Sequence, residues 1–312
     1  MSSTAAVSAE YRAITTSCGV LDRSERGKLA LTGADAKSFL QGQVSNDVEG
    51  LVSGTGCYAA LLTPKGKMLG DVRILDAGGE LLLDTERVAL QELFNVIRRF
   101  SIGYDVQLHK RTLERGLFSL IGPEAASVAA VGLDDAAEHA HREAEVRGIG
   151  VRAIRTDVGI DLLCDAADSE RLASALGVPR IDESAAECLR VERGRPRYGI
   201  DLDDTVIPQE AGLNERAVSF TKGCYVGQET VARLYYRGKP NRHLRGLRLS
   251  GAAQTGDPVR LGEREVGRLG SVVESPRLGW IALALIRREA PVGSTVSVGD
   301  GVAADVVELP FG

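Results

Sequence analysis

Cysteine is sparse and unpatterned in this sequence. Five residues, Cys18, Cys57, Cys164, Cys188 and Cys224, are scattered over 312 positions, with no Cys-x-x-Cys pair. That speaks against a disulfide framework, a zinc site or a self-contained iron–sulfur ligand set, and it fits a reducing cytoplasm. Long apolar runs are also missing. The longest, Trp280 to Ile286, has seven residues, whereas a membrane helix needs roughly 20, so no transmembrane span is expected. The opening MSSTAAVSAEYRA has neither a basic n-region nor an apolar h-region and is not read as a secretory signal. Four histidines do not make a metal site. His139 and His141 lie two apart in an acidic, Ala-rich stretch, on different helix faces, and are expected to be exposed. No metal site is expected. There is no GxGxxG, Walker loop or G-x-S-x-G, so dinucleotide enzymes, P-loop NTPases and serine hydrolases have no support.

What remains is ordinary for a globular chain. Hydrophobic residues make up 44% and charged residues 26%, with a formal charge of −5. These values exclude a long disordered or collagen-like chain, and the length allows two or three domains. The acidic balance speaks against coating nucleic acid, and no direct nucleic-acid binding is expected. Of the 38 basic residues 31 are Arg and seven Lys, which we read as genome composition.

Along the chain, Lys28 to Thr32 reads as a strand, Gly33 breaks it, and Ala34 to Gln43 reads as a helix with Phe39 and Leu40 inward. Cys57 to Thr63 and Met68 to Leu75 are strands around the turn Pro64-Lys65-Gly66-Lys67, and Glu80 to Asp84 is another. Glu86 to Phe100 carries a helical apolar stripe, and Tyr104 to Leu108 reads as a closing strand. The pattern then restarts. KLALTGADAKSF and LFSLIGPEAASV share an apolar strand, a Gly and an Ala-rich helix, and Thr85-Glu86-Arg87 is echoed by Ser169-Glu170-Arg171. We read two related α+β units with antiparallel sheets, of the split β-α-β kind. Asp182 to Arg193 reads as a helix ended by Gly194. From Leu244 short strands alternate with Gly and Pro turns, the pattern of a small all-β barrel or sandwich.

Chemistry concentrates in Lys222-Gly223-Cys224-Tyr225-Val226-Gly227-Gln228-Glu229. In an extended segment Lys222 and Cys224 project from the same side, and a nearby ammonium favours the thiolate. On spacing alone the stretch reads equally as a buried Cys at the start of a helix, VGQETVARL. Arg233, Arg237, Arg242 and Arg245, with Tyr235 and Tyr236 between them, form a basic cluster. It suits carboxylates of a ligand or partner, contact with RNA, or simply a solvated surface.

Lys222 to Glu229 is an unbroken K-G-C-Y-x-G-Q-E. It resembles the signature of the YgfZ family of folate-binding proteins, which includes late-acting iron–sulfur assembly factors and is related in fold to the aminomethyltransferase T-protein of glycine cleavage. The resemblance extends over most of the chain. Gln41 to Asp47 looks like the family's QGQ-x-[ST]-N-D segment, and Thr63 to Lys67 like its TPKG turn, with Asp71 on the next strand. Leu189 to Gly194 with Gly199-Ile200-Asp201, then Pro208 to Leu213, Val266-Gly267 and Gly279 to Ala284, match in the same order.

The resemblance implies an α+β fold of three domains in a T-protein-like ring, two related α+β (split β-α-β) units plus a C-terminal small β-barrel. The expected bounds are residues 1–47 with 113–241, residues 48–112, and residues 242–312. It implies a cytoplasmic protein that binds tetrahydrofolate or a one-carbon derivative and serves iron–sulfur client proteins, tRNA-modifying enzymes among them. Cys224 is then the working thiol and Lys222 the group that lowers its pKa, while Gln228 and Glu229 pin the loop. Glu192 is the pterin partner, with Asp71, Tyr225, Gln228, Glu229 and Arg233 as further folate contacts. Two other roles stay open, a glycine-cleavage aminomethyltransferase and a folate-binding regulator without chemistry. The Leu83 to Val88 stretch, where T-proteins carry a catalytic Asp, shows no clear match.

Overall fold

A computed structural model of the chain describes residues 4–312; the first three residues of the segment read as no secretory leader lie outside it. In chain order the elements are α1 (Thr4–Thr16), β1 (Gly19–Asp22), β2 (Gly27–Thr32), α2 (Ala36–Gln43), β3 (Gly56–Leu62), β4 (Met68–Asp76), β5 (Leu81–Thr85), α3 (Leu90–Phe100), β6 (Gln107–Lys110), β7 (Arg115–Ile121), α4 (Ala125–Ala129), β8 (His141–Val146), β9 (Ile149–Arg155), β10 (Gly159–Asp165) and α5 (Ser169–Ala175). There follow α6 (Glu183–Glu192), α7 (Asn214–Ala217), α8 (Gln228–Arg237) and the strands β11 (Arg242–Leu249), β12 (Pro258–Leu261), β13 (Arg264–Ser275), β14 (Gly279–Arg287), β15 (Thr295–Val298) and β16 (Val302–Val307). The chain divides into two compact units. The first comprises the chain up to Leu62, Leu69–Ala185 and Arg216–Val226; the second comprises Thr63–Met68, Ala186–Glu215 and Gly227–Gly312.

The first unit carries two five-stranded sheets, ordered β3-β4-β5-β2-β6 and β8-β9-β10-β7-β1. The internal repeat is visible in this order: β2 and β7 occupy the same place, as do β5 and β10, and each chain of strands ends in a hairpin, β3–β4 or β8–β9. The edge strands are exchanged. β1 begins eight positions before β2, and β6 eight positions before β7, yet β1 pairs with β7 and β6 with β2. Each repeat thus lends its first strand to the other sheet.

The glycine shared by the two repeats explains why that residue is needed. Gly33 and Gly122 both have positive φ, 110° and 130°. A Cβ at Gly33 would lie 2.1 Å from the Asp105 carbonyl oxygen, and one at Gly122 would lie 2.3 Å from that of Ser17. Asp105 and Ser17 each stand two residues before an exchanged edge strand. Only Gly accepts both the dihedral and the close approach.

One face of each sheet is covered by its own helices. Phe39 and Leu40 of α2 and Leu93 and Ile97 of α3 pack with Leu29, Leu31, Ala59, Leu61, Val72 and Leu83. Ala125 of α4 and Leu172 of α5 pack with Phe118, Leu120, Ile160 and Leu162. Charge ties the sheets to each other: Arg73 of β4 binds Asp84 of β5 and, at 2.6 Å, Asp161 of β10. Ser119 of β7 completes the chain by donating to Asp161 at 2.6 Å. Buried charges persist only when paired in this way.

Three expectations need correction. The helix expected from Glu86 starts at Leu90, and the strand expected at 104–108 forms at Gln107–Lys110. His139 and His141, expected in an exposed loop, are shielded instead: His141 begins β8 at 3% exposure, and the His139 side chain retains 13%. His141 shares its face of β8 with Glu143, both meeting Arg152 of β9, and is covered where its Nε2 lies 3.2 Å from the Thr55 carbonyl oxygen.

In the second unit, α6 ends as the sequence indicates. Gly194 has φ 66°, and the Gly194 and Arg195 amides donate to the Val191 and Arg190 carbonyls at 2.8 and 3.1 Å. The strands expected after Leu244 close into a six-stranded barrel, β11-β14-β13-β12-β15-β16. Leu247, Val259, Val266, Ala282, Ala284, Ile286, Val298 and Val306 fill it. β13 runs for 12 residues and shifts register between Leu269 and Val272, the bend that lets a long strand turn a barrel corner.

Candidate functional site

The Lys222–Val226 segment of the first unit rests on the turn that follows α2. Helix α2 stops at Gln43, and Val44 turns extended (φ −121°, ψ 160°). The turn is held by its own side chains. Gln41 accepts from the Val48 amide at 2.7 Å and donates to Asp47 at 2.9 Å. The buried Ser45 hydroxyl donates to the Ala217 carbonyl at 2.6 Å and accepts from the Ala60 amide at 2.8 Å. Asn46 donates to the carbonyls of Tyr58 and Arg216 at 2.8 and 3.1 Å. The 41–47 motif is thus a cradle for residues 216–226.

Lys222 is the bolt. Its ammonium donates to the carbonyl oxygens of Gln41, Val44 and Asn46 at 2.6, 2.7 and 2.8 Å, which uses all three of its protons. It also lies 5.0 Å from the centroid of the buried Tyr225 ring, and the Val226 amide donates to the Gly42 carbonyl at 3.2 Å. Burial lowers the Lys222 pKa to about 8, opposed by Asp47, Cys57 and Glu49. Burial raises Tyr225 to about 12. The hydrogen bonds of Lys222 therefore serve the backbone of the cradle, and the thiol whose charge interacts with it is Cys57, pushed up to about 12 by burial against the pull of Lys222. That differs from the role expected for Lys222, a cation kept for Cys224.

Cys224 stands out by exposure. Cys18, Cys164 and Cys188 are buried, Cys57 is intermediate and Cys224 is exposed. The signature loop thus presents a thiol on a backbone fixed from beneath. Lys222 and the Val226 amide pin the loop.

Asp71 of β4 is also in the first unit, 7% exposed. The Tyr58 hydroxyl donates to its Oδ2 at 2.6 Å. Burial raises its pKa to about 6, against the lowering effects of the Tyr58 hydrogen bond and the Arg26 charge. A buried carboxyl that titrates near neutrality is a functional candidate. Tyr58 was not legible as its partner, because only the hairpin register brings them together.

The remaining expected residues lie in the second unit. Glu192, at the end of α6, is 4% exposed. Its Oε1 accepts from the Ser275 hydroxyl at 2.5 Å, and its Oε2 from the Arg277 guanidinium at 3.1 Å. Both partners belong to the β13–β14 turn and offset the unfavourable helix-end position. Arg190 reaches Glu187 at 2.7 Å and Asp201 at 3.0 Å, and Asp201 accepts the Ser271 amide at 2.7 Å. The LRVERG and GID segments are therefore tied to β13. Gly66 of the TPKG turn packs at the start of α8, where a Cβ would lie 2.9 Å from Thr230 Cβ.

The basic cluster does not stay together. Arg242 pairs with Glu210 at 2.9 Å and Arg245 with Glu308 at 3.1 Å, whereas Arg233 and Arg237 are exposed on α8. Two acceptors that sequence reading passed over lie in the Pro208 to Asn214 stretch. Gln209 Oε1 and Asn214 Oδ1 are buried and have no hydrogen-bond partner. Among the described residues no group of three His, Cys, Asp or Glu side chains could hold a metal ion, and no helix is long and apolar enough to cross a membrane.

Comparison with known proteins matches this geometry to one family. Residues 1–222 match the GCVT N-terminal domain, and residues 242–311 match the glycine cleavage T-protein C-terminal barrel domain. An aminomethyltransferase from Rubrobacter xylanophilus is 30% identical over 322 residues, covering 98% of this chain and 86% of that protein. A putative chloroplastic transferase from Arabidopsis thaliana is 28% identical over 306 residues, covering 94% and 71%. The crystal structure of the glycine cleavage system aminomethyltransferase T from Bartonella henselae superposes with a TM-score of 0.88 at 23% identity, covering 98% of this chain and 89% of that one, and so shares the fold. With both of its domain models matched in order, the chain belongs to the glycine cleavage T-protein family.

Proposed function

We propose that this chain is a YgfZ-type, tetrahydrofolate-binding accessory factor of the cytoplasm that serves the assembly or repair of iron–sulfur proteins, tRNA-modifying enzymes among them. The observation that carries the reading is the exposed Cys224 in an unbroken KGCYVGQE, on a loop bolted down by Lys222. A fixed, accessible thiol suits exchange with a partner's iron, carbon or sulfur. In this reading Lys222 positions the loop, and Cys224 is the group that meets the client.

Folate is supported by the family, and a pterin edge carries N–H groups. Glu192, held by Ser275 and Arg277, is the proposed pterin partner. Asp71 and Tyr225 remain proposed contacts, with Gln228, Glu229 and Arg233 on or next to α8. Bound folate would supply a carried one-carbon unit. The test is calorimetry with tetrahydrofolate and 5-formyltetrahydrofolate on wild type and Glu192→Ala. Saturable binding that weakens in the variant supports the folate site. The client role is tested in cells: a Cys224→Ala strain that keeps full activity of cluster-containing enzymes under oxidative growth would falsify it.

A second reading, aminomethyl transfer, is favoured by the relatives that bear that name. The Leu83 to Val88 stretch counts against it, since it shows no clear match to the segment where T-proteins carry a catalytic Asp, and its Asp84 carboxylate is clasped by Arg26 and Arg73. Glycine-cleavage activity with lipoyl carrier protein would restore this reading, and its absence would retire it.

A further inference from the structure

Asp71 has two oxygens in unlike states. Oδ2 accepts the Tyr58 hydroxyl at 2.6 Å. The Oδ1 atom makes no hydrogen bond among the described residues. Tyr58 is itself held from two sides. The Arg216 guanidinium lies 5.1 Å from its ring centroid and is fixed by Glu138 at 2.6 Å. Asn46 bridges the Tyr58 and Arg216 carbonyls. Neither Tyr58 nor Arg216 belongs to a motif that marked the site, yet together they join the Asp71 carboxyl to the cradle under the signature loop.

We propose that Tyr58 is a positioning residue for Asp71: its hydroxyl holds Oδ2, so that Oδ1 is the oxygen presented, as an anion, to an N–H donor of the bound ligand. This deepens the folate reading and rests on it. The phenol is kept as a donor because burial, then the Asp71 charge, raise its pKa well above the ordinary value. The other charged groups facing Asp71 are Arg26 from the turn before β2, which favours the anion, and Glu86 and Asp84, which oppose it. Tyr58 supplies the hydrogen bond that tips this balance toward the carboxylate.

The experiment follows the Asp71 carboxyl carbon by NMR in aspartate-labelled protein, assigned with Asp71→Asn, in wild type and Tyr58→Phe. In parallel, the affinity for 5-formyltetrahydrofolate is measured from pH 5 to 8. The wild-type midpoint is expected near 6 and should rise by about one unit in Tyr58→Phe. Affinity should follow the carboxylate, so the variant binds roughly fivefold weaker at pH 6 and nearly equally at pH 8. Asp71→Asn should bind with no pH dependence in this range. A midpoint that stays or falls overturns the assignment, as does an affinity loss uniform across pH, which a merely structural tyrosine would give. If the wild type binds no folate, the folate reading fails. The carboxyl titration needs no ligand and still decides whether Tyr58 sets the state of Asp71.

Discussion

Lys222 Nζ lies 2.6 Å from the carbonyl oxygen of Gln41, 181 positions earlier in the chain. With Val44 and Asn46 the carbonyls form a three-point socket that a tetrahedral ammonium fills. Lys222→Met should cost about 2–4 kcal/mol, because three buried carbonyls lose a charged donor together. Lys222→Arg should not rescue it, since a planar guanidinium cannot aim at three converging oxygens. Urea denaturation reads the stability, and faster hydrogen exchange at the Val226 amide reads the release of the loop. Unchanged stability in Lys222→Met would remove the socket from the account.

The cysteines should separate cleanly by reactivity. Burial pushes Cys18 and Cys188 to about 11 and Cys57 to about 12, while Cys224 is exposed. Brief iodoacetamide treatment of native protein at pH 7.5 should therefore label one thiol, and peptide mass mapping should place it at Cys224. Preferential labelling of any other cysteine would contradict the exposed loop.

Asp71 should make the fold less stable as pH rises. Its folded pKa is raised to about 6 from an ordinary 3.8, so the protonated form is favoured in the native state. The stability it contributes is full below about pH 4 and is lost as pH climbs through 6. Asp71→Asn should then be more stable than wild type at pH 7.5, by up to about 3 kcal/mol, with the gap closing toward pH 4.5. Denaturation at the two pH values checks this. A gap of the same size at both would show that the carboxyl does not titrate in this range.

His139 works in the opposite direction. Burial, then the Arg73 charge, lower it to about 4 from 6.5, so the native state holds it neutral. That stability is present above pH 6.5 and is lost as pH falls toward 4. His139→Gln should flatten the fall in melting temperature between those values, leaving the region above pH 7 unchanged in slope. A variant as acid-labile as the wild type would assign the lability to other groups.

How much of this was legible beforehand can be judged residue by residue. The strand–Gly–helix echo around Gly33 and Gly122 revealed the repeat because both glycines answer the same local demand, a positive φ against a nearby carbonyl. The barrel strands after Leu244 were legible from turns and alternation. His139 and His141 were misplaced because what covers them is distant in the chain: the Thr55 carbonyl meets His141, and Arg73 and Arg216 stand near His139. Tyr58 gave no signal at all, since its role depends on a partner across a hairpin.

By itself the sequence determined the elements, the repeat and the barrel, because these rest on local periodicity and turn residues. Only the tertiary structure decided which groups Lys222 holds, which strand completes which sheet, and why Asp71 titrates near neutrality. The physical reason is the same in each case. Backbone carbonyls carry no sequence mark, an exchanged edge strand has the same composition as one that stays, and a carboxyl acquires its pKa from burial and neighbours that are distant in the chain.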